Sequence, residues 1–191
     1  MDLIFLNGPS SSGKTSLARQ LQDRLDENFL YFGIDAFMEM MPARSNDVSS
    51  SRVSEGFYWK QVMLPNHEPG QLVVSGDYGR QVEAAFRVAI QALLKTENRL
   101  IVDNVVDGNG EMTIFRELLS EFDCCYVGVF CSLEKLVARE RARPDRVQGS
   151  AAEQFYRTHQ GIDYDIQVDT GTASIQSCAD LIIQYIADSE G

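Results

Sequence analysis

Apolar residues fall along this chain in two rhythms. Short continuous runs at 3–6, 29–34, 100–102, 125–131 and 166–168 have the length and bulk of buried strands. Between them, residues 14–25 place Leu17, Leu21 and Leu25 at helical spacing, and 82–94, 133–143, 151–159 and 174–186 read as further helices. Strands alternating with helices predict an α/β fold of three layers, a central parallel sheet flanked by helices. The run at 100–102 reads as the central strand, tipped by Asp103 and Asn104.

Residues 42–79 break this pattern into serines, prolines and short aromatic pieces such as Gly56-Phe-Tyr-Trp59 and Leu72-Val-Val-Ser75. They predict an irregular insertion with a small hairpin on the acceptor side of the site. With 191 residues and no internal repeat or low-complexity tract, one domain over 1–191 is expected.

The first strand gives way to Gly8-Pro9-Ser10-Ser11-Ser12-Gly13-Lys14-Thr15, which satisfies G-x-x-x-x-G-K-[ST] between a strand and a helix. Glycines let such a loop curl so that its N–H groups and the helix N-terminus point at phosphate oxygens. Lys14 adds a positive charge, and Thr15 offers a hydroxyl to Mg²⁺. The motif in this context predicts a P-loop nucleotide-binding fold of the nucleotide-kinase kind that takes a nucleoside triphosphate with Mg²⁺. ATP or GTP remains open on this ground.

Other residues are candidates for the rest of the chemistry. Asp103, at a strand tip, suits the acid that holds Mg²⁺ or orients Thr15, or is a solvated strand-end aspartate. Asp35, at the end of the second strand, suits a base that orients an acceptor hydroxyl and takes its proton, or caps a helix at 36–41. Arg139, Arg143 and Arg146 form a basic segment, expected as an arginine lid over 139–149 that closes on the nucleotide, or as cations complementing a helix dipole. His159 is a second polar group near the site or a structural one. Phe57, Tyr58 and Trp59 line an acceptor pocket or belong to the core.

Composition narrows the partners. Seventeen Lys and Arg against 28 Asp and Glu give a net charge of −11, which repels nucleic acid. No apolar run nears the roughly 20 residues of a membrane span, and the N-terminus reads as a first strand, not a signal peptide. Cys124, Cys125, Cys131 and Cys178 lack metal spacing and suit buried reduced thiols, hence a soluble cytoplasmic protein. Oligomeric state is not legible, since no heptad seam appears.

Taken together, Leu6-Asn7-Gly8 with the serine-rich loop, Phe32-Gly33-Ile34-Asp35, Leu100-Ile-Val-Asp-Asn104 and Tyr126-Val-Gly-Val129 resemble the chloramphenicol phosphotransferases, P-loop kinases of an antibiotic hydroxyl. The likeness continues through Ala142-Arg-Pro-Asp-Arg-Val-Gln-Gly149, His159-Gln-Gly-Ile-Asp-Tyr-Asp165 and Val168-Asp-Thr170. The resemblance implies transfer of the ATP γ-phosphate to a hydroxyl of a small molecule. It implies Asp35 as the base, Lys14 as the phosphate-binding lysine, and Arg143 and Arg146 within the lid. Asn104 departs from the family's pattern where a second acid is expected, and 42–79 departs in the region that shapes the acceptor pocket. The acceptor is thus open between chloramphenicol and another metabolite such as a sugar acid, nucleoside or nucleotide. A nucleotide-binding switch is the alternative of a different class.

Overall fold

The computed structural model describes residues 1–45, 54–144 and 146–190. Positions 46–53 of the expected insertion and Asp145 of the arginine segment lie outside the described residues. In chain order the elements are β1 (Leu3–Asn7), α1 (Lys14–Gln22), β2 (Phe29–Gly33), α2 (Ile34–Glu39), β3 (Phe57–Met63), β4 (Pro69–Ser75) and α3 (Asp77–Lys95). They continue with β5 (Arg99–Asn104), α4 (Gly108–Leu118), β6 (Cys124–Phe130), α5 (Leu133–Arg141), α6 (Ser150–Phe155), β7 (Ile166–Asp169) and α7 (Ile175–Glu190).

Five strands form one parallel sheet in the order β2-β5-β1-β6-β7. Its middle strand is β1, and β5 lies beside it, which corrects the expectation that 100–102 is central. The period of two along each strand divides the core into two layers. From β1, Ile4 and Leu6 join a cluster with Leu17 and Leu21 of α1 and Ile182 of α7. Leu3 and Phe5 face the other way, onto Phe86 and Ile90 of α3 and Met112 and Phe115 of α4. All four of these β1 side chains are fully buried. A strand covered on both faces must be apolar throughout, so its sequence shows a run and not an alternation.

Helix α4 is absent from the sequence reading. It opens on Gly108-Asn-Gly110, with Gly108 at φ 66°, and such poor helix formers mask the later Met112–Phe115 spacing. Helix α5 stops at Arg141, short of the expected 143, because Pro144 biases the residue before it away from the helical region. Helix α6 ends at Phe155, and the backbone runs on in turns such as Thr158 N–H to Gln154 C=O at 2.9 Å.

Strands β3 and β4 form an antiparallel hairpin of their own, with Phe57 opposite Ser75 and Trp59 opposite Val73. The hairpin rests on the loop before α6, where the Gln71 N–H donates to the Gly149 carbonyl at 3.2 Å. Ends of β1, β5 and β2 therefore open towards a space roofed by the hairpin and by the segment between α5 and α6.

Candidate active site

The loop after β1 is shaped by close approach. A Cβ on Gly8 would sit 2.4 Å from the Val129 carbonyl oxygen, and Gly13, at φ 95°, adopts a conformation that side chains resist. Helix α1 begins at Lys14, so the loop N–H groups and the helix N-terminus converge there. Lys14 is buried, and its ammonium donates to the carbonyls of Gly8 at 2.8 Å and Pro9 at 3.0 Å. Burial pulls its pKa below the usual lysine value, while Asp103 and then Asp35 offset that shift.

Parallel register puts Asp103 beside both the end of β1 and Gly33 of β2. Its Oδ2 accepts from Thr15 Oγ1 at 2.8 Å and from the Tyr31 hydroxyl at 3.0 Å, and its Oδ1 stands 3.7 Å from Lys14 Nζ. Burial, then the negative charge of Asp103, pushes the Tyr31 phenol up to about 12, so it stays a donor at neutral pH. Arg19 stacks its guanidinium 4.4 Å above the Tyr31 ring. The Thr15 hydroxyl and Asp103 carboxylate make an oxygen pair of the kind that suits Mg²⁺, which commonly takes one or two protein oxygens and completes its shell with phosphate and water. No group of three or more metal-binding side chains occurs among the described residues.

A cleft of about 930 Å³ runs from this point past Asp35 to the hairpin. Ser10, Ser11, Gly13, Lys14 and Thr15 line its loop end, and Ser11 Oγ is buried with no partner among the described residues. Asp35 sits in the first turn of α2 with 68% of its side chain exposed, and Arg146 Nη1 approaches its Oδ2 at 3.8 Å. It makes no capping bond, since Gly33 holds the cap position. Arg143 and Arg146 both line the cleft. Arg139 lies elsewhere: it projects from α5 behind the loop, donating to the carbonyls of Ser11, Ser12 and Thr170 and so bracing the loop from its far side. Gly8, Pro9 and Ser12 shape the loop without lining the cleft, Ser12 being fully buried. Phe57 and Trp59 point into the cleft while Tyr58 between them does not, as strand alternation requires.

His159 is set below the site. It stacks on Phe130 at 3.9 Å, and its Nδ1 shares a hydrogen bond with the Tyr164 hydroxyl at 2.8 Å. Asn7 donates to that same hydroxyl at 2.7 Å and accepts from the Val106 N–H at 2.9 Å. Burial and the charge of Lys14 push the imidazole down to about 4. A neutral His159 thus belongs to a buried polar brace under the end of β1 and does not line the cleft.

Several residues at the site carried no signal in the sequence reading. Gln154 Oε1 accepts from the Ser10 N–H at 2.6 Å, and Arg157 binds Glu153 at 2.8 Å and Asp107 at 3.1 Å at the cleft wall. Glu140, 1% exposed, accepts from the backbone of Gly149 and Ala151 and from Ser150 Oγ. Tyr31 and Asn7 were within reach: both are polar residues in otherwise apolar strand runs beside recognised motifs.

Residues 1–187 match the family described as chloramphenicol phosphotransferase-like protein. Two curated Mycobacterium tuberculosis proteins, from strains CDC 1551 and H37Rv and each named "Putative O-phosphotransferase", are 31% identical over 186 residues, covering 93% of this chain and 78% of theirs. Among solved structures, a sugar kinase from Janibacter sp. HTCC2649 superposes with a TM-score of 0.66 at 15% identity over 98% of this chain and 95% of that one. The APS kinase of Mycobacterium tuberculosis, in complex with AMPPNP and APS, gives 0.58 at 13% identity over 97% of each chain. At such identities these structures establish the fold of P-loop kinases. The match over nearly the whole chain establishes more: this protein belongs to the chloramphenicol phosphotransferase-like family.

Proposed function

We propose that this protein is an ATP-dependent O-phosphotransferase that moves the γ-phosphate to a hydroxyl of a small molecule. The observation that carries this reading is the convergence, in one cleft, of the phosphate-cradling loop, the Thr15–Asp103 oxygen pair and the Asp35–Arg146 pair.

The loop N–H groups, Ser11 Oγ and Lys14 hold the phosphates of ATP. Thr15 and Asp103 would hold Mg²⁺, which would supply positive charge to neutralise the phosphate oxygens. Asp35 orients the acceptor hydroxyl and takes its proton as that oxygen bonds to the γ-phosphorus and the bond to the β-phosphate oxygen breaks, releasing ADP. Arg143 and Arg146 stabilise the charge spread over the transferring group, and Arg139 keeps the loop in shape from behind. Four free cysteines, three of them buried, fit a reducing, cytoplasmic setting. Among the described residues no helix is long and apolar enough to cross a membrane.

Chloramphenicol is the first acceptor to assay, and its phosphorylation would make the protein an antibiotic-resistance enzyme. Incubation with Mg-ATP, mass spectrometry for a phosphorylated product, and Asp35→Asn in parallel test the reading. A phosphorylated product that the variant fails to make supports it. ATP binding with no phosphorylated acceptor across a panel of hydroxylated metabolites would defeat it and favour a nucleotide-binding switch.

A further inference from the structure

Gln154 reaches the phosphate loop from outside it. The residue belongs to α6, whose first turn is fixed by Glu140 accepting from the Gly149 and Ala151 N–H groups, each at 2.7 Å. Only 6% exposed, Gln154 still lines the cleft together with Ser10, Arg143, Arg146 and Arg157.

The orientation of its carboxamide follows from its partner. The Ser10 N–H can only donate, so the atom that meets it at 2.6 Å is Oε1, and Nε2 with its two N–H groups points elsewhere. Among the described residues Nε2 has no hydrogen-bond partner, and it is not sealed from the cleft. A bond accepted at the amide oxygen also polarises the group and strengthens its N–H donors.

We propose that Gln154 distinguishes a triphosphate from a diphosphate: its Nε2 donates to a γ-phosphate oxygen of the bound nucleotide, and a diphosphate leaves that donor unmet. Ser10 stands ahead of the start of α1 at Lys14, on the side of the loop met by α6. The outermost phosphate must lie between the loop and Asp35. That gap is walled by the segment that brings Arg146 within 3.8 Å of Asp35 and by the helix that brings Gln154 to Ser10. The assignment rests on triphosphate binding, as the reading above does, and adds the residue by which the site tells substrate nucleotide from product.

Charge explains why an amide suits this position better than a carboxylate. Lys14, Arg143, Arg146 and Arg157 all line the cleft and supply the positive charge that phosphates need. Lys14, Arg146 and Arg157 each also stand beside a carboxylate, those of Asp103, Asp35 and Asp107. A glutamate at 154 would accept the Ser10 N–H equally well, but it would set one more negative charge against the phosphates in a partly dehydrated space. Glutamine keeps the acceptor and adds two uncharged donors, so it rewards a phosphate oxygen without attracting anions at long range.

Isothermal titration calorimetry with AMPPNP and with ADP, both in the presence of Mg²⁺, tests the assignment on the wild type, Gln154→Glu and Gln154→Leu. Gln154→Glu keeps an acceptor for Ser10 and should raise the ratio of the AMPPNP to the ADP dissociation constant at least about tenfold over wild type. Gln154→Leu removes acceptor and donors alike; it should weaken both nucleotides and still raise that ratio at least about fivefold. Melting temperatures report folding, and Gln154→Leu decides by itself if Gln154→Glu does not fold. A brace that only shapes the loop gives wild-type binding in Gln154→Glu and an equal loss for both nucleotides in Gln154→Leu. Either result overturns the assignment, as does a wild-type protein that binds neither nucleotide. Incubating the wild type with Mg-ATP and the panel of acceptors separates the two readings: a raised ratio in the variants with no phosphorylated acceptor leaves the role of Gln154 standing and defeats the phosphotransfer reading.

Discussion

The Glu140 carboxylate, carried by α5, accepts the Gly149 N–H at 2.7 Å. Its other oxygen takes the Ser150 hydroxyl and the Ala151 N–H, each at 2.7 Å. One buried acid thereby fixes the start of α6 against α5 and holds the far end of the segment that carries Arg143 and Arg146. The same Gly149 offers its carbonyl to Gln71 of the hairpin, so both roofs of the cleft meet at one point.

Removing that acid should cost stability and function together. Glu140→Ala leaves buried donors without an acceptor, and the expected loss is about 2–4 kcal/mol by urea unfolding. Glu140→Gln, which keeps one acceptor oxygen, should fall between. If kcat/KM survives in a folded Glu140→Ala protein, the arginine segment does not depend on this anchor.

Asp35 is largely exposed and bonds only loosely to Arg146, so its replacement should leave the fold intact. Asp35→Asn should lower turnover by about 10²- to 10⁴-fold, with ATP affinity and melting temperature unchanged. Single-turnover kinetics beside nucleotide titration separate loss of the base from loss of binding.

Tyr31 and Thr15 share one oxygen of Asp103. Tyr31→Phe deletes one neutral-donor bond to a carboxylate, about 1.5–3 kcal/mol, and frees Asp103 to turn. The expected phenotype is a rise in the Mg²⁺ concentration for half-maximal activity with little change in kcat at saturating Mg²⁺. An unaltered Mg²⁺ dependence would remove Tyr31 from the metal side of the site.

His159 predicts an acid limb in stability. Its folded-state pKa, about 4, lies below the ordinary histidine value of 6.5, so the unfolded chain binds the proton first. Above pH 6.5 the group contributes no pH dependence, and as pH falls from 6.5 towards 4 the folded state loses stability. With the ring partly exposed, the loss is on the order of 1–3 kcal/mol. Denaturant unfolding of wild type and His159→Phe across that window checks it, and the variant should show the smaller slope.

Gly8 has no room for a side chain, because a Cβ would press on the Val129 backbone oxygen at 2.4 Å. Gly8→Ala should displace the loop from β6 and weaken ATP binding by more than about tenfold in a titration. Retained affinity would mean that the loop adapts without moving its N–H groups.

Much of the fold was legible because its signals are local. Buried parallel strands need continuous apolar runs, and helices between them need a stripe every three or four residues, so both leave marks in sequence order. Helix α4 left none that prevailed, since its Gly108-Asn-Gly110 opening favours turns on local propensity and only packing of Met112 and Phe115 on the sheet overrides it.

The sequence by itself determined the phosphate loop, the strand-tip position of Asp103 and the family, because each depends on neighbours a few residues apart; it carried the second strand one residue too far, and Asp35 stands in the first turn of α2 after β2 closes at Gly33. What only the tertiary structure decided depends on residues distant in sequence. Arg139 and Arg146 look alike in one basic segment, yet the direction of α5 sends the first behind the loop and the turn after it brings the second to Asp35. Glu140 reads as one more charged helix residue until α6 folds back over it and supplies its donors. A side chain's partners across space set its role, and those partners are chosen by how layers pack, which no local pattern records.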